Sequence, residues 1–261
     1  LRDLGVEMLN NARVWGVFDG REATLGTPPG QSAAVAPERF TLWLDHTAAA
    51  PSGIETRTLI LSPGVYDRPL PFPGWTLPGV MTPGGVQMLI KKQGIAPGSR
   101  AVVAGTGPLQ PAVAATLAGA GVTVVALLDV CGVGDGLGRA VGGMWRQWAR
   151  MSEGASYAGA CVRQSVPLRF RHAVFRALGS ADGGVEAAVI GRVDREGHPL
   201  PGTEQTVECD LICVAYGFIP DIALTLHLGC THDYVFRLGA HLPRHDERMA
   251  TSIPRVYVAG D

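Results

Sequence analysis

The segment 101–129, AVVAGTGPLQPAVAATLAGAGVTVVALLD, constrains the fold of this chain more than any other feature. Its first residues, 101–104, form a short apolar run typical of a buried strand. Gly105, Thr106 and Gly107 follow, and two glycines at this spacing permit a tight turn in which backbone N–H groups approach a phosphate. The segment therefore predicts a strand that ends in a phosphate-binding turn.

The rest of the segment predicts a helix and a second strand. The helix begins at about Pro108, so its unpaired N–H groups and the positive end of its dipole face the same phosphate. The second strand, 122–128, ends at Asp129, where a βαβ nucleotide site places the carboxylate that accepts the ribose hydroxyls. Gln110 replaces the third glycine of the G-x-G-x-x-G pattern. Two interpretations follow: a nucleotide site, with Asp129 favouring NAD or an adenine nucleotide over NADP, or a unit of this fold that has lost its ligand.

The strand order around this unit occurs twice in the chain. After the unit come a strand at 168–178, an Asp-Gly-Gly turn at 182–184, a second strand at 185–193, and an apolar strand at 209–214 that closes at Gly217. Near the start, strands at 12–18 and 39–44 form a small antiparallel meander, and an apolar strand at 58–61 follows it and closes at Gly64. We therefore expect two copies of one topology.

This repeat predicts the fold class and the domain boundaries. The expected fold is α/β, with two Rossmann-like, three-layer ββα dinucleotide-binding domains that each carry an antiparallel β-meander. The first domain, 1–78 plus 204–261, would be incomplete, and the second, 79–203, would be inserted in it. The strand, turn and helix of the first copy would precede Leu1, so the chain is expected to be a fragment, cut at its C-terminus as well.

Composition favours a small-molecule partner. The formal net charge of the 261 residues is −1, with no long basic or acidic run, which argues against nucleic acid and anionic membrane surfaces. No apolar run approaches the roughly 20 residues that span a bilayer. The five cysteines show no Cys-x-x-Cys spacing, as suits a reducing compartment, and we expect a cytoplasmic protein. No spacing of histidines with cysteines or carboxylates predicts a metal site.

Several motifs together resemble a known family. These are YDRPLPFPGWTLPG from Tyr66, VVAGTGPL from Val102, DLICVAYGFIPD from Asp210, and ATSIPRVYVAGD from Ala250. They resemble the FAD- and NAD(P)-binding pyridine nucleotide-disulfide oxidoreductase-like flavoproteins, nearest to the small subunits of opine oxidase, the B subunit of hydrogen cyanide synthase and the alpha subunits of amine and proline dehydrogenases. The resemblance covers essentially the whole chain, and it is the source of the FAD prediction.

The resemblance also implies site residues. In the first domain, Gly260 and Asp261 match the family's closing motif, whose acid binds the ribityl and pyrophosphate part of FAD. Ser62, Pro63 and Gly64 match the segment on the flavin side. The backbone of Val14 matches a position that meets the adenine. In the second domain the matching positions are Gly105, Thr106, Gly107, Asp129 and Gly217.

The implied activity is that of an FAD-dependent oxidoreductase subunit for CH–NH groups. It would relay electrons in the oxidation of an amino-acid derivative or secondary amine of the opine, proline or glycine type, and its partner would be a second flavoprotein dehydrogenase subunit. Two alternatives stay open, an NADH-dependent flavin reductase and a non-catalytic nucleotide-binding structural subunit. No nucleophile or general base is visible, so the sequence predicts no catalytic residue. The missing Cys-x-x-Cys in the second domain argues against the thioredoxin reductase branch.

Overall fold

The chain forms two compact units in a computed structural model that describes residues 5–19, 38–46, 49–107, 109–132 and 166–260. Unit 1 comprises Leu1–Tyr66 and Ile219–Asp261, and unit 2 comprises Asp67–Phe218. Unit 2 is thus inserted in sequence between the two parts of unit 1.

Short strands and three helices make up the secondary structure of the described residues. In chain order the elements are β1 (Ala12–Phe18), β2 (Phe40–His46), β3 (Ala49–Thr56), β4 (Leu59–Leu61), β5 (Val65–Asp67), β6 (Val80–Met81), α1 (Pro83–Gln93), β7 (Arg100–Gly105), α2 (Leu109–Gly119), β8 (Thr123–Asp129), β9 (Leu168–Phe170), β10 (His172–Ser180), β11 (Gly184–Arg192), β12 (Gln205–Glu208), β13 (Leu211–Ala215), β14 (Phe218–Pro220), α3 (Ala223–His227), β15 (His232–Val235), β16 (Ala240–Pro243) and β17 (Val256–Val258).

Unit 2 is built on a five-stranded parallel sheet with the strand order β6-β13-β7-β8-β9. Its central strands are continuous apolar runs because they are buried on both faces. Helices α1 and α2 cover one face through Val86, Val113 and Leu117. The antiparallel meander β10-β11-β12 covers the other face through residues that include Val174 and Ile190. Unit 2 therefore has the three ββα layers that the sequence predicts.

Unit 1 contains the second meander, β1-β2-β3, and the parallel pair β4 and β17. Its core joins the two through buried side chains such as Val17, Phe40, Leu59 and Val256. Strands β15 and β16 add an antiparallel hairpin. Each unit thus combines a parallel strand set with an antiparallel meander, which confirms the predicted α/β class.

Three details differ from the expectations. Strand β3 was not predicted, because APSGIET has the proline and glycine of a turn, but an edge strand tolerates both. The single strand expected over 168–178 is two strands, since the positive φ of Arg171 (56°) breaks it and sends β9 and β10 to different sheets. Strand Leu211–Ala215 pairs with β6 and β7 inside unit 2, although the expected boundary at 203/204 assigns it to the first domain.

Other expectations concern parts of the chain outside the described residues. These parts include residues 140–151, whose apolar spacing predicts an amphipathic helix, residue Pro108 and the C-terminal Asp261. Among the residues that are described, no helix is both long and apolar enough to cross a membrane.

Candidate functional site

The ends of β7 and β8 in unit 2 bring the predicted nucleotide-binding residues together. Gly105 and Asp129 are directly paired in the parallel register, so both strands end at the same edge of the sheet. Helix α2 begins just after the turn at Thr106 and Gly107. This carboxyl edge, faced by a helix N-terminus, is the place where open α/β sheets bind ligands.

The two glycines of the turn serve different purposes. A Cβ on Gly105 would collide with the backbone carbonyl of Ala215 in β13, so only glycine permits this close approach of the strands. Gly107 has a positive φ of 84° and nothing within 4 Å of a built Cβ. Its backbone is therefore open to a ligand. The close packing of β7 against β13 at Gly105 and the free space at Gly107 together fit a phosphate-binding turn.

Asp129 is half-buried at this edge. The Cys131 N–H donates to Asp129 Oδ1 at 2.8 Å. Burial raises the pKa of the Asp129 carboxyl above its ordinary value, and the contact with Cys131, the Gln110 amide and the Gly107 N–H partly oppose that rise. Burial and the nearby Asp129 charge also raise the pKa of Tyr216 to about 12, so this phenol stays neutral at physiological pH. The half-buried carboxylate of Asp129 is therefore the hydrogen-bond acceptor that a ligand would meet at this edge.

The Gln110 side chain is buried and its amide is unpaired, which the sequence pattern does not predict. It lies in the first turn of α2, where the usual pattern has its third glycine, and only 1% of its surface is exposed. Its Nε2 and Oε1 atoms are buried without a hydrogen-bond partner. The amide lies near enough to Asp129 to affect that carboxyl, but not in hydrogen-bond geometry. The substitution of glycine by glutamine was visible in the sequence, but its burial was not.

The ends of β4 and β17 form the corresponding edge of unit 1. The strands pair in parallel, with Leu61 opposite Val258, and the Ala259 N–H donates to the Leu61 carbonyl at 2.9 Å. The turn at 62–64 therefore meets the turn at Gly260. A Cβ built on Gly260 would lie 3.2 Å from the Ser62 hydroxyl oxygen, which places these two predicted residues side by side.

A cavity of about 380 Å³ opens at this edge of unit 1. Predicted residues Pro63, Gly64 and Gly260 line it. Side chains from the strands, helix α3 and the β15–β16 hairpin complete a largely apolar wall, including Leu61, Ile222, Leu238, Leu242, Met249 and Val258. The volume lies within the range of small-molecule sites, and apolar walls suit a flat aromatic ring. Gly64 has a φ of 87° and free space around a built Cβ, so the backbone is open there too.

Among the described residues, Asp221 is the acidic one that lines this cavity. It accepts a hydrogen bond from the Tyr66 hydroxyl at 2.9 Å, and its other oxygen accepts one from the Ala223 N–H at 3.0 Å. The hydrogen bond to the carboxylate raises the pKa of the Tyr66 phenol. The motifs that contain Tyr66 and Asp221 carried the family resemblance, but neither residue was predicted as part of a site.

The remaining predicted residues lie elsewhere. Val14 is half-buried on β1 against the core of unit 1 and does not line the cavity. Gly217 follows β13 in unit 2 with a φ of 98°, and its carbonyl accepts the Arg68 N–H at 2.8 Å. The roles assigned to Val14 and Gly217 stay predictions. His245, in contrast, was not predicted as a site residue, but it is exposed and lines the cavity of unit 1.

Comparison with known proteins identifies the family. The sequence pattern of the pyridine nucleotide-disulphide oxidoreductases matches residues 5–261, nearly the whole chain. The chain belongs to this family. The predicted membership is thereby confirmed, and the α/β architecture described above matches that of FAD- and NAD(P)-binding oxidoreductases.

Two curated relatives illustrate the similarity. The chain is 33% identical over 208 residues to the hydrogen cyanide synthase subunit HcnB of Pseudomonas aeruginosa. The matched region covers 80% of this chain and 44% of the relative. The chain is also 32% identical over 241 residues to the A subunit of opine oxidase from Rhizobium meliloti. That match covers 88% of this chain and 49% of the relative. The chain thus spans less than half the length of either relative.

Solved structures show the same fold. Thioredoxin reductase from T. acidophilum superposes with a TM-score of 0.59 at 16% identity, over 96% of this chain and 65% of the other. L-proline dehydrogenase from P. horikoshii gives a TM-score of 0.54 at 16% identity, over 95% and 35%.

Proposed function

We propose that the chain is part of an FAD-dependent oxidoreductase subunit that relays electrons in the oxidation of an amino-acid derivative or secondary amine. The observation that carries the proposal is the apolar cavity at the ends of β4 and β17, where the residues predicted to hold FAD meet. Membership of an oxidoreductase family and the similarity to HcnB and to an opine oxidase support it.

The geometry of unit 1 fits a flavin. The open backbone at Gly64 suits close approach of a ring or pyrophosphate, and apolar side chains would exclude water from one ring face. Bound FAD would supply the hydride and electron chemistry, while the protein holds and orients it. This division of labour agrees with the absence of a predicted acid or base from the chain.

The substrate class and partner rest on the relatives. Both curated relatives are named as subunits, one of them of an opine oxidase. We infer an opine, proline or glycine type of substrate and, as partner, a second flavoprotein dehydrogenase subunit. Oxidation of CH–NH groups would then take place largely on that partner. The cytoplasmic location also stays a prediction.

An NADH-dependent flavin reductase is the second candidate. The observation that favours it is the strand-end site of unit 2, with the open turn at Gly107 and the carboxylate of Asp129. NAD or an adenine nucleotide would bind there with its pyrophosphate on the turn and α2, and its ribose at Asp129. A third candidate, a structural nucleotide-binding subunit, draws on the same site without electron transfer, and Gln110 at the third glycine position favours it.

Anaerobic reduction of the flavin tests these candidates in the full-length protein. If the primary proposal holds, an amine or opine together with the partner bleaches the flavin absorbance, and NADH alone does not. Bleaching by NADH at a catalytic rate, abolished in Asp129→Asn, would instead establish the flavin reductase. Absence of bound flavin would contradict both and leave the structural role.

The flavin site has its own matched test. Gly64→Ala introduces a Cβ at a positive φ beside the cavity, so we expect loss of flavin from the purified protein. Gly229→Ala is the control, because Gly229 has a similar φ of 75° in unit 1, free surroundings and no place in the cavity wall. Equal flavin content in both variants would contradict the assignment of this cavity.

A further inference from the structure

The Gln110 side chain has no hydrogen-bonding role within the described protein. Both of its amide atoms are buried and unpartnered, and it ranks among the largest fully buried side chains. Most buried polar atoms in proteins are paired, so an orphaned pair in one side chain requires a reason. Leaving them unpaired is costly, and Leu or Met would fill the same space without that cost.

The position of Gln110 points to a ligand as the missing partner. It belongs to the first turn of the 11-residue helix α2, directly after the open turn at Gly107. Its amide lies beside the Asp129 carboxyl at the end of β8. A helix N-terminus, an orphaned buried amide and a strand-end carboxylate therefore meet at one edge of the sheet.

We propose that Gln110 is a specificity residue for the ribose of a nucleotide bound at this edge. One ribose hydroxyl would hydrogen-bond the Gln110 amide, and the other would donate to the Asp129 carboxylate. This inference rests on the proposed nucleotide site of unit 2. An amide both donates and accepts, whereas an ionised carboxylate only accepts, so the pair distinguishes the two hydroxyls.

The burial of the amide implies a local rearrangement. Because both amide atoms are shielded from solvent, the Gln110 side chain must rotate for a ribose hydroxyl to reach it. The Gln110 amide then stays buried but gains the ribose hydroxyl as a hydrogen-bond partner. A site of this kind discriminates strongly against an analogue that lacks the hydroxyl, because the polar group is again left unpaired.

Calorimetric titration of the full-length protein with ADP, 2′-deoxy-ADP and 3′-deoxy-ADP tests the proposal. We expect wild type to prefer ADP over each analogue by about tenfold or more, the scale of one hydrogen bond to a buried group. Gln110→Leu should bind ADP about tenfold more weakly and lose discrimination against one analogue. Asp129→Asn should lose discrimination against the other.

Two further variants separate a ligand role from a packing role. Gln110→Met keeps the length of the side chain and should reproduce the binding defect, which guards against a folding failure of the Leu variant. Both should melt at or above the wild-type temperature without ligand, because two orphaned polar atoms are removed. Thr116→Val is the control on the same helix: Thr116 donates to the Ala112 carbonyl at 2.8 Å, and its replacement should leave discrimination unchanged.

The outcomes are distinct. The role of Gln110 would be overturned if wild type bound ADP and the two deoxy analogues equally well. It would also be overturned if the Gln110 variants kept both the affinity for ADP and the preference for ADP over the analogues. Either result would leave the nucleotide site standing. Wild type that binds neither ADP nor NADH would overturn the nucleotide site of unit 2 and this inference with it.

Discussion

Replacement of Gly105 by alanine is the sharpest test of the architecture of unit 2. A Cβ on Gly105 would lie 2.9 Å from Ala215 Cα and closer still to its carbonyl group. These are backbone atoms of a central strand, and Gly105 and Ala215 are paired in the parallel register. The clash can be relieved only by moving β7 away from β13.

The magnitude follows from the cost of overpacking a rigid core. Extra atoms in a well-packed interior cost about 1 to 3 kcal/mol, and backbone on both sides of this contact argues for the upper end. A cost of about 2 to 3 kcal/mol, at about 2 to 4 °C per kcal/mol for a chain of this size, should lower the melting temperature of unit 2 in Gly105→Ala by about 4 to 12 °C.

Hydrogen exchange on peptides from β7 and β13, with thermal melting alongside, measures the effect within unit 2. Gly119→Ala is the matched control, because Gly119 lies in α2 with free space around a built Cβ and no positive φ. That change should be neutral or stabilising by up to about 1 kcal/mol. A melting temperature of Gly105→Ala equal to that of the control would refute the rigid close approach of the two strands.

Three further predictions concern single side chains. Burial raises the pKa of Asp129 in the folded state, so its charged form opposes folding, and Asp129→Asn should stabilise the ligand-free protein at neutral pH; thermal melts should show that this gain shrinks as pH falls through the raised pKa of Asp129 and is lost below the ordinary carboxyl pKa. Asp67 Oδ2 accepts the Gly84 N–H at 2.7 Å in the first turn of α1, so Asp67→Ala should cost about 1 kcal/mol and speed amide exchange in that helix; unchanged exchange would contradict a capping role. Asp221→Asn should lower the pKa of Tyr66, seen as an earlier rise in tyrosinate absorbance that Tyr66→Phe abolishes, and an unaltered titration would mean that the hydrogen bond does not form in solution.

The fold was predictable where the sequence pattern is periodic and long. Strands β7 and β8 with helix α2 followed from apolar runs on either side of a glycine turn, and the repeat of closing glycines revealed the second copy. Strand β3 and the break at Arg171 were not predictable. The first depends on an edge position that tolerates proline, and the second on one residue in an uncommon backbone conformation.

The site was predictable only in part, for a related physical reason. Gly107 could be selected from its place in the strand-turn-helix pattern, whereas Gly64 and Gly260 were selected as site residues from the family resemblance. Side chains that arrive from distant segments carry no such local signal. The cavity of unit 1 takes part of its wall from the β15–β16 hairpin, and Asp221 reaches Tyr66 across 155 positions of sequence.

The two closing glycines show how one topology yields two chemically different sites. In unit 1 the Gly64 carbonyl accepts the Asp221 N–H at 3.0 Å, and in unit 2 the Gly217 carbonyl accepts the Arg68 N–H at 2.8 Å. Each glycine has a positive φ, so the same backbone turn follows the apolar strand in both copies. The two sites differ in the side chains that form them. The site in unit 1 has apolar side chains, some of them from the β15–β16 hairpin, whereas the site in unit 2 has the Asp129 carboxylate and the unpaired Gln110 amide. The first would suit a flat ring held away from water, and the second would suit a hydroxyl-bearing sugar, as the proposed binding of a flavin in unit 1 and a nucleotide in unit 2 requires.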